Sequence, residues 1–203
     1  MFKNFKINLK SIVLTAAIST ALLSTMLLST RAQAPPPLAA GTAAPAFTTK
    51  TLAGQPLTLK SLRGKVVLID VWATWCGPCR MATPMLQALH KKYVARGLQV
   101  VGISVDDTSS LDKVPAYKKA YNVTYTLSAS PTANAKLAQA YKAEGIPSIY
   151  LIDQKGIVRW SQSGYDSANE EKDLSKMIED LLGKSTVNDK HAKTNKNTKT
   201  AHR

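Results

Sequence analysis

Cys76 and Cys79 are the only cysteines among 203 residues, and they stand together in Trp75-Cys76-Gly77-Pro78-Cys79. Two thiols separated by two residues can close a disulfide within one helical turn and reopen it by exchange with another sulfur. A disulfide that stabilises a fold usually closes a long loop, and a ring of four residues restrains almost nothing. Structural zinc needs four ligands. No second cysteine pair exists, and His90, His191 and His202 lack ligand spacing. The pair is therefore read as a redox-active disulfide that works without metal or other cofactor.

The elements around the pair must hold it at a strand-to-helix junction. Val66 to Trp72 is apolar except for Asp70, which predicts a strand buried on both faces. Met85, Leu86, Leu89, Tyr93 and Val94 then recur at helical spacing as far as Gly97, with Pro84 inside the helix. Cys76 falls at the N-terminus of that helix, where free N–H groups and the dipole favour an anion. That makes Cys76 the attacking thiolate and Cys79, one turn further in, the resolving sulfur. Pro78 suits a first helical turn, Gly77 lets a partner's backbone come close, and Trp75 adjoins Cys76 at the surface. Asp70 is a costly carboxyl in an apolar strand. Six residues before Cys76, it reads as a proton acceptor for Cys79 with a raised pKa. Ile146-Pro147, directly before an apolar strand, suggests a constrained turn that offers a client strand its edge.

The remaining chain frames one domain. Residues 1–34 read as a signal peptide or N-terminal membrane anchor: Lys3, Lys6 and Lys10 precede an uncharged apolar run over 11–28, then Ala32-Gln33-Ala34. Residues 35–44, rich in Pro and Ala, read as an extended linker. Residues 45–182 form the domain, and 183–203 a disordered basic tail. Phe47–Thr51 and Pro56–Lys60 suggest a hairpin, Gln99–Val105 a second buried strand, and Leu111–Tyr121 and Ala133–Tyr141 two further helices. Ser148–Ile152 and Ile157–Ser161 are strands joined at Asp153-Gln154-Lys155-Gly156, and Ala168–Leu182 is a last amphipathic helix. The alternation of β and α argues for an α/β fold with a central mixed sheet. The net charge of +14 sits mostly at the two ends of the chain, leaving about +5 on the domain. This argues against nucleic acid as a partner.

Val67 through Arg80, with its Asp70, Trp72 and Trp75-Cys76-Gly77-Pro78-Cys79, resembles the active-site strand and helix of the thioredoxin superfamily. Gly145-Ile146-Pro147-Ser148, with the hairpin that follows, is similar to that family's cis-proline loop. The N-terminal hairpin, Ser61-Leu62-Arg63-Gly64-Lys65 and the export signal resemble the exported TlpA/ResA-type branch. The resemblance implies a thioredoxin fold with an added N-terminal β-hairpin, a cis peptide before Pro147, and Cys76 and Cys79 as the redox pair. Two positions depart from it. Ala82 stands where the branch often has Glu, and Gly102 where thioredoxins often place a Lys beside the buried Asp.

These residues point to an exported thiol–disulfide oxidoreductase that reduces client proteins in the periplasm or at the outer face of the cytoplasmic membrane. Its expected partners are disulfide-bearing clients, apocytochromes among them as the resemblance implies, and a membrane electron donor. Two alternatives remain: a non-enzymatic thioredoxin-fold binding or assembly module, and a peroxiredoxin-like peroxidase. The peroxidase would need a cysteine at another place. Asp106-Asp107 reads as a loop or helix cap, and His90 as a solvated residue on the outer part of its helix.

Overall fold

The computed structural model describes residues 38–183. The signal or anchor segment, the first part of the linker and the basic tail beyond Gly183 lie outside the described residues.

A five-stranded sheet carries the site, in the order β5-β4-β3-β6-β7. Its members are β3 (Val66–Trp72), β4 (Leu98–Ser104), β5 (Thr126–Ser128), β6 (Ser148–Ile152) and β7 (Val158–Ser163). β3, β4 and β5 run parallel, while β6 and β7 are antiparallel. A separate hairpin pairs β1 (Thr48–Lys50) with β2 (Pro56–Thr58). The helices are α1 (Gly77–Tyr93), α2 (Val114–Ala120), α3 (Pro131–Ala140) and α4 (Glu170–Leu182).

Every residue of β3 is buried, because helices cover one face of the sheet and α3 with the hairpin covers the other. Val66, Leu68 and Trp72 pack with Leu86 and Leu89 of α1, Tyr117 of α2, and Leu174 and Ile178 of α4. The alternate residues Val67, Ile69 and Val71 pack with Leu137 of α3 and with Phe47 and Leu57 of the hairpin region. Strand alternation therefore turns Asp70 toward the α1 face. α1 runs unbroken through Pro84, and His90, Lys91 and Lys92 lie in its last turn, where cations complement the dipole.

Two expectations need correction, and one strand went unread. Residues 38–44 are not linker but lie along the outer edge of β7. Gly41 N–H donates to Val158 O (2.8 Å), Val158 N–H to Thr42 O (2.9 Å) and Ala44 N–H to Gly156 O (2.9 Å). An unpaired strand edge leaves donors and acceptors open, and this segment covers them. β5 escaped the sequence reading because Thr126-Leu127-Ser128 is too short to show a period. His90 is half-buried rather than solvated. Its Nδ1 lacks a partner and its ring lies edge-on to Tyr125.

Gly102 lies opposite Asp70 on β4 and opposite Leu127 on β5. A Cβ there would come 2.6 Å from Leu127 Cδ2, 2.9 Å from Trp72 Nε1 and 3.3 Å from Tyr125 Cε2. A side chain at this position is therefore excluded by two aromatic rings and a leucine. Gly102→Ala is expected to lower stability by about 1–3 kcal/mol in urea unfolding. An unchanged midpoint would show that the packing yields freely.

Candidate active site

β3 ends at Trp72, three residues of loop follow, and α1 begins at Gly77 with Cys76 as its N-cap. Cys76 and Cys79 are joined as a disulfide, with Cα atoms 5.3 Å apart. The Cys79 N–H points at Cys76 Sγ (3.1 Å), as a side-chain cap accepts from a first-turn amide. In the reduced protein the same donor, at the positive end of α1, favours negative charge on Cys76. Both cysteines are buried, Cys79 at 1% exposure and Cys76 at 4%.

The peptide between Ile146 and Pro147 is cis. The Ile146 carbonyl oxygen lies 3.7 Å from Cys76 Sγ, so this loop and the disulfide adjoin although 70 residues separate them. Gly77 and Pro78 are exposed, and nothing in the chain lies within 4 Å of where a Gly77 Cβ would stand. Trp75 is 62% exposed, whereas Trp72 is 2% exposed and packs on the Tyr117 ring at 4.3 Å.

Asp70 is buried, and its Oδ1 has no hydrogen-bond partner. Burial first, and the Glu170 carboxyl second, push its pKa up to about 8. No lysine can neutralise it from β4, since Gly102 and its aromatic neighbours fill that position.

Two residues near this site escaped the sequence reading. Glu170, the first residue of α4, is buried. It accepts from Asp166 N–H (2.9 Å) and Gln162 Nε2 (3.2 Å) through Oε2, while Oε1 has no partner. Burial raises its pKa as well. An acid at a helix N-terminus reads in sequence as ordinary dipole compensation. Only the pairing of Asp70 with Ile149, and of Ile149 with Gln162, puts it over the Asp70 row of the sheet.

Asp106, read from the sequence only as part of a loop or helix cap, is the second, and it is fully buried. Its carboxylate accepts from Thr74 N–H (2.9 Å), Thr74 Oγ1 (2.5 Å) and Ser104 Oγ (2.8 Å). The chain of bonds continues inward. Asn134 Nδ2 donates to Ser104 O (2.7 Å), and Asn134 Oδ1 accepts from Thr49 Oγ1 (2.7 Å) and Ser128 Oγ (2.9 Å). On the outer side, Thr74 O accepts from Arg80 Nε (3.2 Å) and Nη2 (2.8 Å). One polar network thus runs from the hairpin to the loop that carries Cys76. The signal available in sequence was the step from an apolar strand to Ser104-Val105-Asp106, a weak one.

Comparison with known proteins fits this geometry. A sequence model of the AhpC/TSA family matches residues 40–161. The chain belongs to the AhpC/TSA family. It is similar to the thioredoxin-like protein YneN of Bacillus subtilis, 32% identical over 59% of this chain and 68% of that one. It is also similar to the thiol-disulfide oxidoreductase ResA of Bacillus cereus, 30% identical over 58% of this chain and 66% of that one. A thiol:disulfide interchange protein of the thioredoxin family from Chlorobium tepidum superposes with a TM-score of 0.60 at 30% identity, over 72% of this chain and 99% of that one. The fold is the thioredoxin fold, and the protein is a thiol–disulfide oxidoreductase of this family.

Two outcomes follow from the two carboxyls. The folded pKa of Asp70 lies above its ordinary 3.8, so the folded protein holds that proton more tightly than the unfolded chain. Stability is full below about pH 4 and is lost as the pH rises to about 8. Asp70→Asn should therefore raise stability at pH 9 by on the order of a few kcal/mol, and at pH 4 by almost nothing. Asp106→Ala should instead destabilise, costing about 3 kcal/mol because it strands two Thr74 donors and Ser104. Urea unfolding of both variants at the two pH values reads these effects. A pH-independent Asp70→Asn gain would contradict the first, and a neutral Asp106→Ala the second.

Proposed function

We propose that the protein reduces disulfides of client proteins outside the cytoplasm, with Cys76 as nucleophile and Cys79 as resolving sulfur. The observation that carries this reading is the asymmetry of the pair. Cys76 takes the Cys79 N–H at the helix start and adjoins the Ile146 carbonyl, whereas Cys79 lies one turn deeper.

The Cys76 thiolate attacks a client disulfide. A Cys76–client bond forms as the client S–S bond breaks, and the displaced client sulfur leaves as a thiolate. Asp70 then accepts the Cys79 proton, and the Cys79 thiolate attacks Cys76 Sγ. The mixed disulfide breaks, the second client sulfur departs, and Cys76–Cys79 is left oxidised. The client has gained two electrons, and each of its sulfurs takes a proton. Regeneration needs a dithiol donor at the membrane, because an oxidising compartment would leave the pair closed.

A client strand would lie against Ile146-Pro147, passing Gly77, Pro78 and Trp75. Exposed apolar side chains gathered at one place mark protein contact surfaces. Among the described residues the three such side chains are Trp75, Met81 and Val94, and two of these flank the disulfide. The basic, apolar N-terminal segment supports an exported address, in the periplasm or on the outer face of the cytoplasmic membrane, with residues 11–28 as the anchor if they are retained. Apocytochromes are the client class that the resemblance to the ResA-type branch implies.

A Cys79→Ala variant should hold clients as mixed disulfides on Cys76, which non-reducing gels and mass spectrometry would show. Cys76→Ser should trap nothing and reduce insulin at least about a thousandfold more slowly, as loss of a nucleophile does. Reduction of insulin at the normal rate by Cys76→Ser would remove the assigned nucleophile. With Asp70 as base, the rate of mixed-disulfide resolution should rise with pH up to about 8 and lose that limb in Asp70→Asn.

A further inference from the structure

Beside the disulfide, on the side of Trp75 facing α2, lies an open groove of about 360 Å³. Thr74, Trp75 and Arg80 of the active-site segment form one wall. Ala116, Tyr117, Ala120 and Tyr121, on and just after α2, form the other, with Lys113 at its edge. Tyr117 and Tyr121 are stacked at 4.5 Å, and Tyr117 is fixed beneath by Trp72 and by a 2.6 Å hydrogen bond to Thr83 Oγ1. Tyr117 is buried as the floor, and the small side chains of Ala116 and Ala120 leave half-buried Tyr121 and exposed Trp75 as the open aromatic surface.

The charge of the groove has one sign. Arg80 and Lys113 line it and no carboxylate does. Neither cation takes part in an ion pair among the described residues, where the pairs are Lys92–Glu179 and Arg159–Asp153. Asp106, the carboxylate behind Thr74, is fully buried and committed to Thr74 and Ser104. Asp107 is turned into its own loop, where its Oδ1 accepts from Ser109 and Ser110. Arg80 is not a loose surface cation. Two of its donors are held by the Thr74 carbonyl, and a guanidinium has five, so those that remain are presented in a set direction.

We infer that this groove receives the segment flanking the client's cysteine and selects an acidic residue there. The proposal rests on the oxidoreductase reading, which makes the occupant a polypeptide held at Cys76. Trp75 is the residue next to Cys76, so a chain joined to that sulfur reaches the groove within a few residues at about 3.3–3.6 Å per residue. The aromatic wall accepts the apolar part of such a segment, and the paired cations at the rim favour a carboxylate over an ammonium. Rim charges act chiefly on encounter rate and are screened by salt.

The test uses the full reduced protein and three synthetic peptides. Each has one internal disulfide, and they differ only two residues from the attacked cysteine, at Glu, Gln or Lys. Single-turnover reduction is measured at low and high salt, and repeated with Lys113→Glu, an exposed position. The Glu peptide should react about fivefold faster than the Lys peptide, the scale of exposed charge pairs. The gap should shrink in high salt and close in Lys113→Glu, where the new carboxylate offsets Arg80. Equal rates for all three peptides, or a Glu–Lys gap unchanged in Lys113→Glu, would overturn the acidic selection alone. Reduction of none of them would overturn the oxidoreductase reading and this proposal with it.

Discussion

Asp70 lies in the middle of β3 with strands on both sides, and neither neighbour offers it a charge. β4 brings Gly102, and β6 brings Ile149. The volume that a cationic side chain would need is filled by Trp72, Tyr125 and Leu127. A carboxyl in that position is stable as the neutral acid and costly as the anion. Glu170 adds to this, since a second buried carboxyl on the same face opposes ionisation of the first. On the proposed reading, that cost is what lets Asp70 take up and give back the Cys79 proton.

Asp106, 36 residues further along the chain, is the contrasting case. It is as buried as Asp70, yet three hydrogen bonds from Thr74 and Ser104 satisfy it. A satisfied carboxylate in a polar network holds geometry, whereas an unsatisfied one is free to change protonation. The two acids divide the work of the site. Asp106 fixes the loop from which Cys76 projects, and Asp70 is the proposed proton acceptor. Arg80 closes the outer side of the same loop through the Thr74 carbonyl, so the loop is held on both sides.

Much of the site could be read from residue order. The Cys-Gly-Pro-Cys spacing, the acid inside an apolar strand and the proline before another strand are local patterns with few physical explanations. The parts that could not be read depend on pairing across the sheet. Glu170 lies 100 residues beyond Asp70 in sequence, and only the register from β3 through β6 to β7 brings it over the same row. Asn134 looks like any polar residue on a short helix, and becomes central only because β4, β5 and the hairpin converge on it. β5 is three residues long and exists because β4 provides a template. The segment 38–44 likewise owes its place to the open edge of β7, which it meets through Gly41, Thr42 and Ala44, not to its own composition.

The ionisation of Asp70 in the oxidised protein links the fold to the chemistry, and it can be measured without any client. Carbon-13 NMR of the Asp70 carboxyl, assigned by comparison with Asp70→Asn, should show a titration midpoint near 8. A midpoint near the ordinary 3.8 would mean that an anion is tolerated in this core, and would contradict the assignment of Asp70 as the proton acceptor for Cys79.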